Sequence, residues 1–165
     1  MLHRILATAD DRVLAAARIV LGIVMLPHGL QKTVGWFGGY GFQGTMDFFT
    51  GTMGIPALFA FLAILAESAG ALALVTGTLG RIAAFGILST MVVAALTSHV
   101  QNGFFMNWTG SQQGEGFEYH ILAATLALVV VIRGSGAWSV DRVLAAVDAP
   151  AGQPRSAGRP AHAGV

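Results

Sequence analysis

Apolar residues run almost unbroken through four stretches of the chain, residues 13–32, 56–79, 82–99 and 117–132. About 20 mostly apolar residues suffice to cross the hydrocarbon core of a bilayer. An isolated strand cannot satisfy its backbone in lipid, so the pattern predicts four membrane-spanning helices. Pro56 suits the first turn of the second helix. Pro27 lies inside the first and removes the hydrogen bond to the carbonyl of Ile23, which predicts a bend. Gly80 is placed to stop the second helix. The expected fold is all-α: a four-helix transmembrane bundle running up-down-up-down.

Between the spans the pattern changes. Residues 35–53 are rich in glycine and aromatic rings, among them Trp36, Phe37, Tyr40, Phe42, Phe48 and Phe49. Such rings favour the membrane interface, so an outer aromatic flap with a short helix near residues 45–52 is expected. Residues 139–147 read as a short interfacial amphipathic helix, with Ser139 as cap and Asp141 in the first turn. The membrane domain then covers residues 1–148. Residues 149–165 lack an apolar period and are expected to form a disordered cytoplasmic tail.

Composition agrees with the pattern. Of 165 residues, 55% are hydrophobic and 10% charged, and mean hydropathy is +0.68. Soluble domains carry about 25% charged residues, so the composition is that of a small integral membrane protein. A net charge of +1 offers no basic face for nucleic acid. The absence of cysteine excludes disulfides, thiolate metal sites, iron–sulfur ligation and dithiol redox chemistry.

Orientation follows the bias of arginine and lysine among the short loops. Arg4, Arg12, Arg81, Arg133, Arg142, Arg155 and Arg159 fall on one side and Lys32 alone on the other. Both termini are therefore expected in the cytoplasm. A cleaved signal peptide is disfavoured, because no A-x-A-like site follows the first apolar run.

Charges inside spans need partners. Arg18 shares a helical face with Gly22, Met25, Gly29 and Lys32, and Glu67 shares one with Ala60, Ala63, Ala71 and Leu74. Small residues let helices approach closely, so both charges are expected to point inward. Glu67 is expected to pair with Arg18 or with Lys32. An Arg18–Glu67 pair would fix helix register; alternatively Glu67 takes a proton or charge role in catalysis. Arg81 is expected to anchor at the cytoplasmic interface.

At the outer helix ends His28, Lys32, His99, Glu118 and His120 reach similar depth, with Glu115 just before the fourth helix. His and Lys beside aromatic rings can hold the carbonyls of a quinone. His with Glu can bind a metal, and two His can ligate a haem. Interfacial His residues also simply cap helices and meet headgroups. Haem is disfavoured because no His pair repeats on a second pair of helices. Metal is disfavoured because Glu118 and His120 face about 160° apart on one helix.

The residues in order are Arg18 with Gly22, His28-Gly29-Leu30-Gln31-Lys32, Glu67-x-x-Gly70, Gly77-x-x-Gly80-Arg81, His99, Gly116-Phe117-Glu118 and Gly134-Ser135-Gly136-Ala137-Trp138-Ser139-Val140-Asp141. Over about residues 10–145 this resembles the DoxX family of small bacterial membrane proteins. The resemblance implies a four-helix protein of the bacterial inner membrane. It also implies association with oxidoreductases, since the family is named for a subunit of a thiosulfate:quinone oxidoreductase. On this resemblance the polar positions that matter are Arg18, His28, Lys32, Glu67, Arg81, His99 and Glu118, and His120 is not among them. The leading expectation is a membrane subunit of a redox system, depending on partner proteins or a homo-oligomer. It would bind a quinone or similar lipid-soluble ligand through His28, Lys32, His99 and Glu118. A non-catalytic scaffold for partner proteins is the alternative, and a small transporter the third.

Overall fold

The computed structural model describes residues 5–147; the tail expected over residues 149–165 lies outside them. Helix α1 spans Arg12–Thr33, and Asp11 caps it by accepting the N–H groups of Val13 and Leu14 at 2.9 and 3.0 Å. It runs on through Pro27 as one element. A left-handed Gly35 turns the chain into Trp36–Gly38. Helix α2, Gly41–Asp47, follows and continues through a π-helical turn, Phe48–Thr52. The expected flap helix therefore starts four residues earlier than its sequence suggested. Helix α3 spans Ala57–Thr76 and α4 spans Gly80–Asn102. Helix α5 is Glu118–Arg133 and α6 is Val140–Val147. The described residues form no strand.

Helices α1, α3 and α4 are long and apolar enough to cross a membrane. Helix α5 has 16 residues, about 24 Å at the α-helical rise. Neighbours run antiparallel. Gly22 of α1 meets Ala71 and Val75 of α3, and Gly29 meets Glu67. A Cβ at Gly29 would lie 2.2 Å from the Glu67 carbonyl oxygen, so only glycine lets the two backbones approach this closely. Inside are small residues: Ala60, Ala71, Ala84 and Ala127 are wholly buried. Outside are large ones: Phe59, Phe85, Leu96 and Leu122 are each more than 60% exposed. A water-soluble core inverts that arrangement; lipid tolerates it.

The end carrying the α3–α4 turn is locked by polar side chains. Arg18 is fully buried and donates to five main-chain carbonyls. Two, Leu74 and Val75, close the last turn of α3; three, Ser135, Ala137 and Trp138, lie in the segment after α5. Helix C-termini carry partial negative charge and unpaired carbonyls, which a guanidinium fork satisfies. Asp141, equally buried, works on the opposite pole. Its carboxylate accepts the N–H groups of Leu79 and Gly80 at 2.6 and 2.9 Å, capping α4 from a different helix. It also accepts the Ser135 hydroxyl at 2.5 Å.

One expectation fails here. Gly80 does not stop the second helix. Gly77 does, in the left-handed conformation at φ 71°, and Gly80 opens α4 instead. Arg81, expected as an interface anchor, also finds partners within the fold at this end. Its guanidinium donates to the carbonyls of Val131 and Ile132 at the end of α5 and to Ala7.

Candidate functional site

Polar side chains gather again at the opposite end, around the π-helical turn Ala66–Gly70 of α3 and another, Ala95–His99, in α4. Such turns insert a residue into the helix, rotate the side chains that follow, and recur at functional sites. The first carries Glu67, 4% exposed. Its carboxylate lies 2.5 Å from Nζ of Lys32. The expected Arg18–Glu67 pair does not form, because Arg18 is about four turns from Lys32 along α1 and held by carbonyls. Lys32, one turn beyond His28, is the cation at the depth of Glu67.

Four rings continue the cluster across α1, α5 and α4. His28 and Tyr119 have centroids 6.0 Å apart, Tyr119 and His120 5.6 Å, and His120 and His99 4.1 Å. The Tyr119 hydroxyl donates to Sδ of Met25 at 3.3 Å. His99 donates from Nδ1 to the Glu115 carbonyl at 2.8 Å. That carbonyl can only accept, so the proton sits on Nδ1. His28 and His99 are half-buried, whereas His120 is 7% exposed and its Nδ1 has no hydrogen-bond partner among the described residues. A buried polar atom without a partner costs about 1–3 kcal/mol, so this nitrogen asks for an explanation.

His120 also heads a groove. Met91, Ala95 and Leu96 of α4 face Ile121 and Ala124 of α5, and the groove's walls are otherwise apolar. A second shallow apolar groove lies between α1 and α5, beside Tyr119.

Glu118, expected among the ligand-binding residues, turns away from these rings. It accepts the N–H of Met106 at 3.0 Å and lies 3.4 Å from the Trp108 indole nitrogen, tying down the loop before α5. Glu115 does the same for the N–H of Asn107 at 2.6 Å. No group of three or more His, Asp or Glu that could hold a metal comes together among the described residues. His120 was counted in the outer cluster but left out of the ligand-binding set, yet it carried a signal. It stands at the head of the buried series His120, Ala123, Ala127 and Val130, with the 3-4-3 spacing of one helical face.

A DoxX family profile matches residues 13–100. The chain is 30% identical over 135 residues to the inner membrane protein YqjF of Escherichia coli (strain K12), covering 82% of this chain and 94% of that one. No solved structure matches. The match spans the HGLQK element, the glycine seam of α1 and α3, and the turn bearing Glu67. Together they identify this chain as a member of the DoxX family.

Proposed function

We propose that this protein is a four-span component of the bacterial inner membrane that serves a redox system. It binds a quinone-type, lipid-soluble ligand at the groove between α4 and α5. The observation that carries the reading is His120: buried, unpartnered at Nδ1, and seated at the head of an apolar groove. A quinone has the matching shape, an apolar body with a carbonyl that accepts one hydrogen bond. Its ring and tail would lie against Leu96, Ile121 and Ala124 while the carbonyl accepts from His120. Lys32 and Glu67 set the charge beside this cluster, and His28 and Tyr119 link the pair to His120. The family name and a relative described as an inner membrane protein support the setting. The arginine asymmetry puts both termini in the cytoplasm. Helix α5 completes the fourth crossing, with Arg133 reaching for headgroups at its end.

Photo-crosslinking tests this. A photoactivatable ubiquinone analogue added to the protein in its own membranes should label peptides from residues 91–99 and 117–124. Excess decylubiquinone should compete, and His120→Leu should abolish the labelling. Uniform, uncompeted labelling of every lipid-facing helix would overturn the site.

A second reading is a scaffold for partner proteins. It is favoured by the way Arg18, Asp141, Lys32 and Glu67 find their partners within the chain. On that reading partners would copurify equally with the wild type and with His120→Leu.

A further inference from the structure

Two aromatic residues occupy a backbone conformation that the rest of the chain gives to glycine. Among the described residues nine glycines have a left-handed φ, and three other residues share it: Phe37 at 54°, Leu79 at 49° and Trp138 at 49°. A bulky side chain crowds its own backbone there, so such a position persists only when something offsets the strain. The main chain accounts for the turns. The Phe37 carbonyl accepts from Nε2 of Gln31 at 3.3 Å, and the Trp138 carbonyl accepts from the Arg18 guanidinium at 3.1 Å. Glycine would make the same bonds without strain. The rings themselves give the fold little. Phe37 is 67% and Trp138 66% exposed, against 39% for Leu79. Phe37 meets Trp36 edge to face at 6.5 Å, and Trp36 is exposed as well.

Their spacing says what they meet. Trp138 follows Ala137, whose N–H donates to the carbonyl of Asp11, the cap of α1. Phe37 is tied to Gln31, near the other end of α1. Asp11 and Gln31 stand twenty residues apart, about 30 Å at the α-helical rise. The hydrocarbon core of a bilayer is about 30 Å thick, and aromatic rings collect at both of its edges. Beside Trp138 the apolar face of α6 points outward too. Val140, Val143, Leu144 and Val147 are exposed at the spacing of one helical face, while Asp141 turns into the bundle. We infer that Phe37 and Trp138 are paired membrane anchors, one seated in each headgroup region, and that their left-handed backbones hold the rings at the height that fixes the depth of the bundle in lipid. This anchoring does not depend on the ligand in the α4–α5 groove.

Tryptophan fluorescence tests it. The chain has three tryptophans, so Trp36→Phe with Trp108→Phe leaves Trp138 as the single reporter. Adding Trp138→Phe and Phe37→Trp moves the reporter to the other end. Each protein is reconstituted into phosphatidylcholine vesicles whose lipids carry bromine either shallow or deep along the acyl chain. Both reporters should emit to the blue of tryptophan in water. Shallow bromines should quench them more strongly than deep ones, and aqueous iodide should quench them little. Water-like emission at either end, quenched by iodide and not by bromine, would overturn the inference and leave that ring to a protein partner. A second measurement separates anchoring from packing. Phe37→Gly with Trp138→Gly relieves both backbones and should melt no lower than the wild type in detergent. In vesicles of graded chain length the wild type should be most stable where the hydrocarbon core is about 30 Å thick, and the double variant should lose that optimum. A double variant that keeps the optimum would overturn the inference. So would one that melts lower in detergent, because the rings would then serve the fold.

Discussion

Arg18 illustrates how much of a buried charge's role is set by geometry rather than by sign. It donates only to carbonyls, drawn from two separate stretches of backbone. Arg18→Met leaves those carbonyls unsatisfied and should destabilise the protein by several kcal/mol, at roughly 1–3 kcal/mol per buried group left unpaired. Arg18→Lys should recover little, since an ammonium has three donors on one atom and cannot fork across two helix ends. Thermal unfolding in detergent, followed by size-exclusion chromatography, reads both variants. Lys32 and Glu67 predict a different pattern. Glu67→Leu alone should cost about 3–5 kcal/mol, because it strands a partly buried ammonium. Lys32→Met with Glu67→Leu together should recover most of that loss. A charge swap between Arg18 and Glu67 should rescue nothing. Rescue by that swap would mean that these two residues meet after all. Sequence reasoning reached the right set of charges, because ionisable residues inside apolar runs are conspicuous. It could not assign partners, because helical periodicity fixes the face a residue occupies and not its depth against the neighbouring helix.

At the scale of elements, the contacts between α1 and α3 depend on having no side chain at Gly22 and Gly29. Gly29→Ala would drive a methyl to 2.2 Å from the Glu67 carbonyl oxygen. It should push the helices apart at the turn that positions Glu67, costing about 1–3 kcal/mol as overpacking does. Gly51→Ala is the control. Nothing lies within 4 Å of its added Cβ, so the change should fall within about 0.5 kcal/mol of neutral. Comparing the two melting temperatures checks this; equal shifts would refute the seam. Asp141 makes the corresponding case for α6. Asp141→Ala should cost about 2 kcal/mol, at the upper end for a lost helix cap, because the carboxylate caps α4 across the fold and also receives the Ser135 hydroxyl. The elements themselves were legible, since hydrophobic runs of this length mean helices. Their connections were less so. Of Gly77 and Gly80, the sequence pointed to the second as the helix stop. Only the tertiary partner, Asp141 on the N–H of Gly80, decides that the second glycine starts a helix. The same limit hid His120: its orphaned nitrogen exists only once α4 and α5 are packed.

For the whole molecule, the question that decides the function's geography is whether α5 crosses the bilayer. Its 16 residues reach about 24 Å, against a hydrocarbon core of about 30 Å. The shortfall is small enough to be met by local thinning and by Arg133 extending its stem toward headgroups. If α5 crosses, the loop at Ser111 and the helix at Ala146 lie on opposite sides. The cluster of His28, Lys32, His99 and His120 then opens toward the periplasm. If it does not cross, Ser111 and Ala146 share a side. The chain contains no cysteine, so single substitutions report without background. Ser111→Cys and Ala146→Cys, in intact cells and in inverted vesicles, should each react with a membrane-impermeant maleimide in only one preparation. Ser111→Cys should label in cells and Ala146→Cys in inverted vesicles. Gly51→Cys should follow Ser111→Cys, because α3 and α4 together return the chain to the face from which α3 began. Labelling of Ser111→Cys and Ala146→Cys in the same preparation would remove the fourth span. The groove between α4 and α5 would then open at the membrane surface rather than to lipid. That position could not hold the long apolar tail the proposed ligand requires.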